Sequence, residues 1–499
     1  MRRFLLCLLA IMLIVSNGNF ALAQEAAAYT IAGFDGDGVN HDWATNQFFQ
    51  RMNERTGVTF DYQQYSDYNA WAQAKAEMLR SGNLPDMLFK AEMSQQEIAA
   101  FVQQGLLLDL APLLAQHAPN AYRYIQENAA VRAGVVQPDG GIYTLPNLND
   151  LPNNNVIWVN SRWLEAVKME MPTDAASFRA VLEAFKTKDP NGNGRQDEVP
   201  MTFLGLWDLK FLGHAFGLIA NDYNLFVDEQ GKVQHLALAP QFRPFVEWLR
   251  DLYQDGLLDK RGFTTVDALR KVTEENAEST YGMLMGTTTM NLLPYADTAD
   301  YQVMMPLVFE GKQIYRDLVG TVFPGAFALS ADCPEPETLL AWIDTLYTEE
   351  GARLALAGEE GVDYEVDPAD GVWEWMGDIS VRGQQIIQEV TISESGHLPW
   401  RYPVEFQLRY GDRQSVAVME QLSQLRKYTQ MPYPLVFMDE ENLNRANALQ
   451  YELGLYLDTQ VSRFIIGETA LTDENWQSFL DTLAAKGLNE FLIIWQNAL

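Results

Sequence analysis

Short strand-like runs that alternate with stretches of helical periodicity constrain this 499-residue chain more than any other feature of its sequence. Tyr29–Phe34 is apolar and β-leaning, and it leads into the turn-rich Asp35-Gly36-Asp37-Gly38. Phe48, Phe49 and Met52 then recur at helical spacing with Gly57 as a stop, and Val58–Tyr62 reads as a second strand. A helix through Trp71, Ala74 and Met78 precedes the apolar run Met87–Phe89. The same grammar returns with the strand Val156–Val159 and a helix carrying Phe178, Val181, Leu182 and Phe185. A helix with Phe242, Phe245, Val246, Leu249 and Leu252 on one face stops at Gly256, and Tyr281–Gly286 reads as a short strand. Leu339, Leu340, Ile343 and Leu346 mark a further amphipathic helix. Such alternation implies parallel sheets covered by helices on both faces, the α/β class. In open sheets of this kind, ligands bind beyond the carboxyl ends of the strands.

The length suits two domains of ordinary size. There is no internal repeat, low-complexity tract or Pro/Ser-rich linker, so the chain is expected to pass between two interwoven lobes more than once. The expected division gives residues 24–155 and about 292–395 to the first lobe, and 156–291 and about 396–499 to the second.

Residues 1–23 have the layout of a cleaved secretory signal peptide. Arg2 and Arg3 precede the apolar stretch Phe4–Val15, and Ala21-Leu22-Ala23 supplies small residues before Gln24. The apolar stretch is too short to span a bilayer. Cys7 lies inside it behind Leu5-Leu6, which is the wrong context for lipid modification, so no lipid anchor is expected. Loss of Cys7 with the leader leaves Cys333 alone, which excludes an intramolecular disulfide. The formal charge of −32 argues against nucleic acid and anionic membrane surfaces as partners, because both repel an acidic protein.

The sharpest local signal is Asp189-Pro190-Asn191-Gly192-Asn193-Gly194-Arg195-Gln196-Asp197-Glu198. Alternating side-chain oxygens with a glycine at the sharp turn can converge on a hard cation such as Ca²⁺, which takes six to eight oxygen ligands. The loop departs from an EF-hand, since Pro200 stands where a bidentate Glu would be, and Glu198 is the substitute. The same residues also suit an Asx- and Gly-rich turn without metal. Nothing beside the loop supplies a nucleophile or a base, so a cation here would be structural.

The stretch from Val156 to Thr202 resembles the family 1 extracellular solute-binding proteins of ABC importers, including their lipoprotein-like and alginate-oligosaccharide-binding members. The resemblance rests on Trp158-Val159-Asn160-Ser161-Arg162-Trp163-Leu164, on Pro172-Thr173, and on Ala184–Gly194 with Asp197-Glu198-Val199-Pro200. Echoes at Ser81–Asp86, Gly141–Pro146, Gly256–Asp259, Cys333–Glu337 and Gly358–Tyr364 extend it over nearly the whole mature chain. It implies a two-lobed periplasmic-binding-protein fold with a ligand cleft between the lobes and several hinge crossings. It also implies a structural Ca²⁺ held by Asp189, Asn191, Asn193, Asp197 and Glu198 and by the backbone carbonyl of Arg195. Many relatives carry a lipid-anchored Cys after the signal. This chain departs from them, which points to a free periplasmic protein. Permease subunits would be its protein partners, a sugar its ligand, and the monomer its expected state.

A sugar site needs aromatic faces and a few placed polar groups in a concave cleft. The strand-end loops offer Asp35, Asp37, Asn40 and Trp43, then Tyr65 and Trp71. Asn147, Asn149, Asp150 and Asn154 precede the crossing strand, and Trp207 and Asp208 follow the asparagine-glycine loop. Trp373, Trp375, Trp400, Arg401 and Tyr402 stand in turn-rich sequence. No catalytic residue is expected. The acidic run Glu359-Glu360, Asp363, Glu365 and Asp367 reads as a solvated loop, since a glycosidase places its two carboxyls across the sugar. No nucleophile elbow, His-Glu-x-x-His pair or phosphate-cradling loop is present. The alternatives are a secreted polysaccharide-degrading enzyme and the same fold binding peptide-like ligands.

Overall fold

The computed structural model describes residues 28–499 apart from 38–40, 152–154, 264–279, 288, 290–291, 294–298, 318–321, 378–382, 384, 387, 395 and 412. The expected signal peptide, Cys7, Asn40 and Asn154 lie outside the described residues.

The strands in chain order are β1 (Tyr29–Phe34), β2 (Phe60–Tyr65), β3 (Met87–Phe89), β4 (Leu145–Leu148), β5 (Val156–Asn160) and β6 (Val199–Thr202). They continue with β7 (Leu225–Val227), β8 (Val233–His235), β9 (Tyr281–Gly286), β10 (Tyr301–Val303) and β11 (Tyr315–Arg316). The last are β12 (Val322–Leu329), β13 (Tyr364–Val366), β14 (Trp373–Trp375) and β15 (Thr429–Gln430). Two sheets organise the molecule. One runs β2-β1-β3-β12-β4 and the other β10-β5-β9-β6. In the first, β1 is parallel to both β2 and β3, and β12 inserts antiparallel between β3 and β4. In the second, β6 and β9 are parallel and β5 is antiparallel to β9. The buried runs of β3, β5 and β9 show why these strands read as continuous apolar stretches, since helices cover both faces.

Local chemistry sets the helix ends. The helix Gln47–Thr56 is capped by the Asn46 side chain and closed by Gly57 at φ 72°, and Tyr68–Ser81 by Asp67 and Gly82 in the same way. Ser94 and Glu97 form a reciprocal capping box at the start of Gln95–Gln103. The faces read from periodicity are the buried ones: Phe48, Phe49 and Met52, then Phe178, Val181, Leu182 and Phe185. Two glycines permit close backbone approach within the first sheet. A Cβ on Gly33 would sit 1.6 Å from the Phe89 carbonyl oxygen, and one on Gly325 would sit 1.9 Å from that of Met93.

Each sheet has its own core. Ile31, Phe49, Phe89, Leu145, Phe327, Leu340, Trp342, Leu398 and Trp400 belong to the first, and Trp158, Phe185, Met201, Phe245, Tyr281, Tyr315, Leu453 and Phe491 to the second. The chain therefore crosses between lobes at Leu148–Val156, again at Arg316–Val322, and once more between Phe406 and Val418. The boundaries expected near 292 and 396 move to these later positions. β10 and β11 are only three and two residues long, and their lobe is decided by pairing partners that no local pattern reveals. Beyond the crossings, the lobes touch where Gln95 Nε2 donates to the Val436 carbonyl (2.8 Å) and Gln96 Nε2 to Asn444 Oδ1 (2.7 Å). No helix among the described residues is long and apolar enough to cross a membrane.

Candidate functional site

In the first lobe the carboxyl ends of β1, β2 and β3 share one edge, and the loops after them build a buried ionic network. Asp35 follows β1 and is fully buried. Its carboxylate meets His41 Nδ1 (2.8 Å), accepts from Trp43 Nε1 (2.8 Å) and Gln64 Nε2 (3.1 Å), and lies 3.7 Å from Lys90 Nζ. Burial alone would raise Asp35, but His41 and Lys90 hold it below the ordinary carboxylate range. Burial likewise opposes the charged form of His41, yet the bonds to Asp35 and Glu394 push it up to about 9. Lys90 is lowered by complete burial against the pull of Asp35 and Glu394. Its ammonium donates to the carbonyls of Asp35 (3.0 Å), Ile392 (3.3 Å) and Glu394 (3.0 Å), which staples the segment 391–397 onto the strand ends.

That segment carries His397. Its ring lies flat on Phe323, the second residue of β12, with centroids 3.8 Å apart and planes 11° from parallel. Glu92 receives both the His397 backbone N–H and Nδ1 (2.9 Å). The His397 side chain remains 40% exposed, whereas Glu92 is 11% exposed. Tyr68 stands nearby, 47% exposed and edge-on to Phe34 at 5.5 Å. Burial, then Glu97 and Glu92, raise its phenol.

The second lobe presents Trp207 just past the end of β6, 42% exposed. Its Nε1 donates to Asp222 Oδ1 (3.1 Å) and its ring meets Phe211 edge-on at 4.9 Å. Arg316, the last residue of β11 before a crossing, is buried. It donates to the same Asp222 oxygen (2.7 Å) with its guanidinium 4.5 Å over Phe211. Asp208 is buried beneath, accepting from Asn155 Nδ2 (2.6 Å) and the Leu204 N–H (2.5 Å). Burial pushes it up to about 7. Tyr315 Oη donates to the Asn155 carbonyl (2.5 Å), so the first crossing is tied to the second.

Several expected ligand rings are instead structural. Trp43 and Trp71 are fully buried, the latter donating to the Ala91 carbonyl (2.8 Å). Trp373 stacks on Phe406 at 4.4 Å inside a small cluster, and Trp375 packs half-buried against Tyr410. Trp400 is in the first core, with its carbonyl taken by the Leu148 N–H. A large ring in turn-rich sequence gains most by burial, and only tertiary packing decides where it goes. Tyr65 leans half-buried on Trp71 at 5.2 Å. Asp37 is exposed and accepts the Tyr68 N–H (2.9 Å). Asn149 caps its own turn at the Leu151 N–H, and Asn147 donates to the Leu398 carbonyl. Arg401 pairs with Asp150 (3.3 Å) over the Tyr124 ring (4.7 Å), beside a Tyr402 phenol raised by burial. The acidic run is likewise structural in part: Asp363 binds Arg51 (2.6 Å) and caps the Glu359 N–H.

The loop 189–198 has the geometry of a tight turn, with left-handed backbone at Asp189, Gly192 and Gly194. Asp189 accepts the N–H groups of Asn193 and Gly194, and Asn193 donates to Asp197 (3.1 Å). Glu198 Oε1 is buried without a partner, and burial together with Asp189 and Asp197 raises its carboxyl. Among the described residues no three His, Cys, Asp or Glu side chains close into a metal-holding cluster by themselves. A cation here would also draw on the Asn191 and Asn193 amides and a backbone carbonyl. An orphaned carboxylate oxygen among crowded carboxylates fits that demand.

A cavity of about 660 Å³, lined by Phe216, Phe226, Phe309, Gln234 and Gln430 among others, belongs wholly to the second lobe and does not join the two faces.

No family model matches the chain. It is 25% identical over 486 residues to the fructooligosaccharide ABC transporter substrate-binding protein FusA of Streptococcus pneumoniae, across 90% of this chain and 85% of that protein. The chain is a homologue of ABC-transporter substrate-binding proteins. Solved structures agree on the fold. FusA in complex with kestose superposes with a TM-score of 0.70 at 22% identity over 94% of this chain and 98% of that one. An HMO-binding solute-binding protein from Bifidobacterium longum infantis gives 0.79 at 18% identity over 95% and 98%. The alginate-binding protein AlgQ2, solved without calcium ion, gives 0.65 at 20% identity over 94% and 97%. FusA has also been solved as an EF-hand mutant in complex with fructo-nystose. These structural neighbours are two-lobed solute-binding proteins, and the chain shares their fold.

The residues missed from sequence are Phe211, Asp222 and Arg316 on one side, and Tyr68, Glu92, Phe323 and His397 on the other. Glu92 and His397 are 305 positions apart, and nothing local signals their meeting.

Proposed function

We propose that this chain is the extracytoplasmic component of an ABC importer, that it closes its two lobes around an oligosaccharide, and that the closed form engages the permease. The observation that carries the reading is Trp207, a ring left 42% exposed at a strand end beside the crossings and anchored by Asp222. Exposed large rings at the mouth of a cleft suit the apolar faces of sugars. Homology to a fructooligosaccharide-binding protein over most of both chains supports the ligand class.

The activity is binding without chemistry. Among the described residues, Asp208, a carboxyl beside the crossings raised to about 7, is enclosed by Asn155 and the Leu204 N–H. The loop 189–198 holds Ca²⁺ through Asp189, Asn191, Asn193, Asp197, Glu198 and the Arg195 carbonyl, and the ion stiffens the second lobe. The leader is cleaved after Ala23 and the mature protein is free in the periplasm, without a lipid anchor. Mass spectrometry of the secreted chain checks that point, since a diacylglyceryl mass on the mature chain would refute it.

Calorimetric titration of the mature protein with neutral and uronate oligosaccharides, with product analysis of each mixture, tests the function. Saturable binding without products is expected, and Trp207→Ala should weaken it about tenfold or more. Products in the mixtures would establish an enzyme, and silence across the panel would remove the sugar reading.

A further inference from the structure

We infer that His397, held on Phe323 and fixed by Glu92, is a ligand-binding platform of the first lobe and that it selects neutral over anionic sugars. This rests on the carbohydrate-binding reading above and assigns that site a specificity.

The platform is built from parts that have no role in either core. Phe323 is the second residue of β12, directly after a crossing, so the stack stands beside the hinge, on the same side as the carboxyl ends of β1 and β3. Glu92 takes both the backbone N–H and Nδ1 of His397, which fixes the ring's rotation. Nε2 then points away from Glu92, and among the described residues it has no hydrogen-bond partner. One ring face is covered by Phe323 at 3.8 Å, and the 40% of the side chain still exposed is available to a ligand. A stacked ring with one outward nitrogen offers a sugar a flat surface and a hydroxyl partner together. Tyr68 supplies a second exposed ring close to Glu92.

The backbone beneath is forced. Lys90 and Glu92 adopt left-handed conformations at φ 49° and 47°, which side chains other than glycine rarely take. Such strain persists only where the surroundings impose it, and it gathers at ligand sites. Here the Lys90 staple to Ile392 and Glu394 imposes it. A Cβ on Gly396, at φ 67°, would press on the Glu92 carboxylate at 3.1 Å and on the Lys90 stem at 3.3 Å. Gly396 thus lets the segment bearing His397 pass close against Glu92 and Lys90.

Charge supplies the selectivity. A uronate needs an unspent cation, because burying its carboxylate without one is costly. Among the described residues, the cations that border the crossings are already committed: Lys90 to Asp35, Arg316 to Asp222, Arg401 to Asp150 and Arg409 to Glu420. What the first-lobe face adds is negative, namely Glu92 and the exposed Asp37. Like charges at a binding surface exclude a wrong partner as effectively as contacts favour the right one.

The test titrates the mature wild-type protein, His397→Ala, His397→Phe and Glu92→Gln with neutral fructooligosaccharides and with alginate oligosaccharides. Wild type should bind a neutral sugar about a hundredfold more tightly than any uronate. His397→Ala should weaken neutral-sugar binding about tenfold or more, while His397→Phe, which keeps the stack, should lose less. Ligand should also shift the ring resonances of His397. Glu92→Gln should narrow the gap between neutral and anionic sugars. Uronates binding as tightly as neutral sugars, or neutral-sugar binding unchanged in His397→Ala at equal unfolding temperature, would overturn the platform and leave the carbohydrate reading standing. No sugar binding by wild type would overturn both.

Discussion

The two lobes present very different surfaces to the crossings. In the first, polar groups are sunk beneath the strand ends and spent on one another: Asp35, His41 and Lys90 form a network at 0 to 6% exposure. Its tryptophans Trp43 and Trp71 are likewise fully buried. In the second, Trp207 stays 42% exposed, while Arg316 is buried against an Asp222 that is about half exposed. The first lobe therefore uses buried charge to hold Ile392, Glu394 and His397, which come from far along the sequence. The second holds its ring from a short helix next to its own strand, and its fixed charge sits in the separate loop 189–198. The difference teaches that an aromatic residue after a strand is not evidence of a ligand contact. What matters is whether its N–H is satisfied inside the lobe, as with Trp43 and Trp71, or by a partner at the rim, as with Trp207.

The sharpest way to break this comparison is to truncate one tryptophan from each lobe. Trp43→Ala should cost about 3–5 kcal/mol in urea unfolding, because it leaves a cavity and an unpaired Asp35 oxygen. Trp207→Ala should cost less than about 1 kcal/mol and act on ligand affinity instead. Equal losses of stability would mean that both rings are core.

Cation removal should act on the second lobe. At saturating Ca²⁺, about a hundred times its dissociation constant, stabilisation is about 2.7 kcal/mol, and EDTA should remove it. Asp189→Ala should abolish the response in a thermal-shift measurement. An EDTA effect that survives in Asp189→Ala would place the ion elsewhere.

Two further effects separate the lobes by pH. His41 is raised from 6.5 to about 9, so the stability it contributes to the first lobe is full below pH 6.5 and is lost as pH rises through 9. Asp208 is raised from 3.8 to about 7, so its contribution to the second lobe is full below pH 3.8 and is lost as pH rises through 7. His41→Asn should flatten the upper window of a urea-unfolding profile and Asp208→Asn the lower one. A profile unchanged by Asp208→Asn between pH 4 and 7 would show that its carboxyl is ionised throughout.

Much of this was legible because the physics involved is local. Helical faces such as Phe178, Val181, Leu182 and Phe185 follow from a period of 3.6, and the stop at Gly57 from the left-handed backbone that glycine tolerates. The loop 189–198 was readable for the same reason, since its oxygens and its turn lie within ten consecutive positions. The crossings were placed too early because two- and three-residue strands carry no periodic signal.

By itself, then, the sequence determined the α/β class, the alternating elements, the helix stops at Gly57 and Gly256 and a loop suited to a hard cation, each an interaction between near neighbours in the chain. Only the tertiary structure decided which rings are buried, where the lobes exchange chain, and that His397 meets Glu92 and Phe323. Those outcomes depend on contacts between residues tens to hundreds of positions apart. Burial and pairing free energies of that kind are set by the whole packed lobe and leave no pattern in any short stretch of sequence.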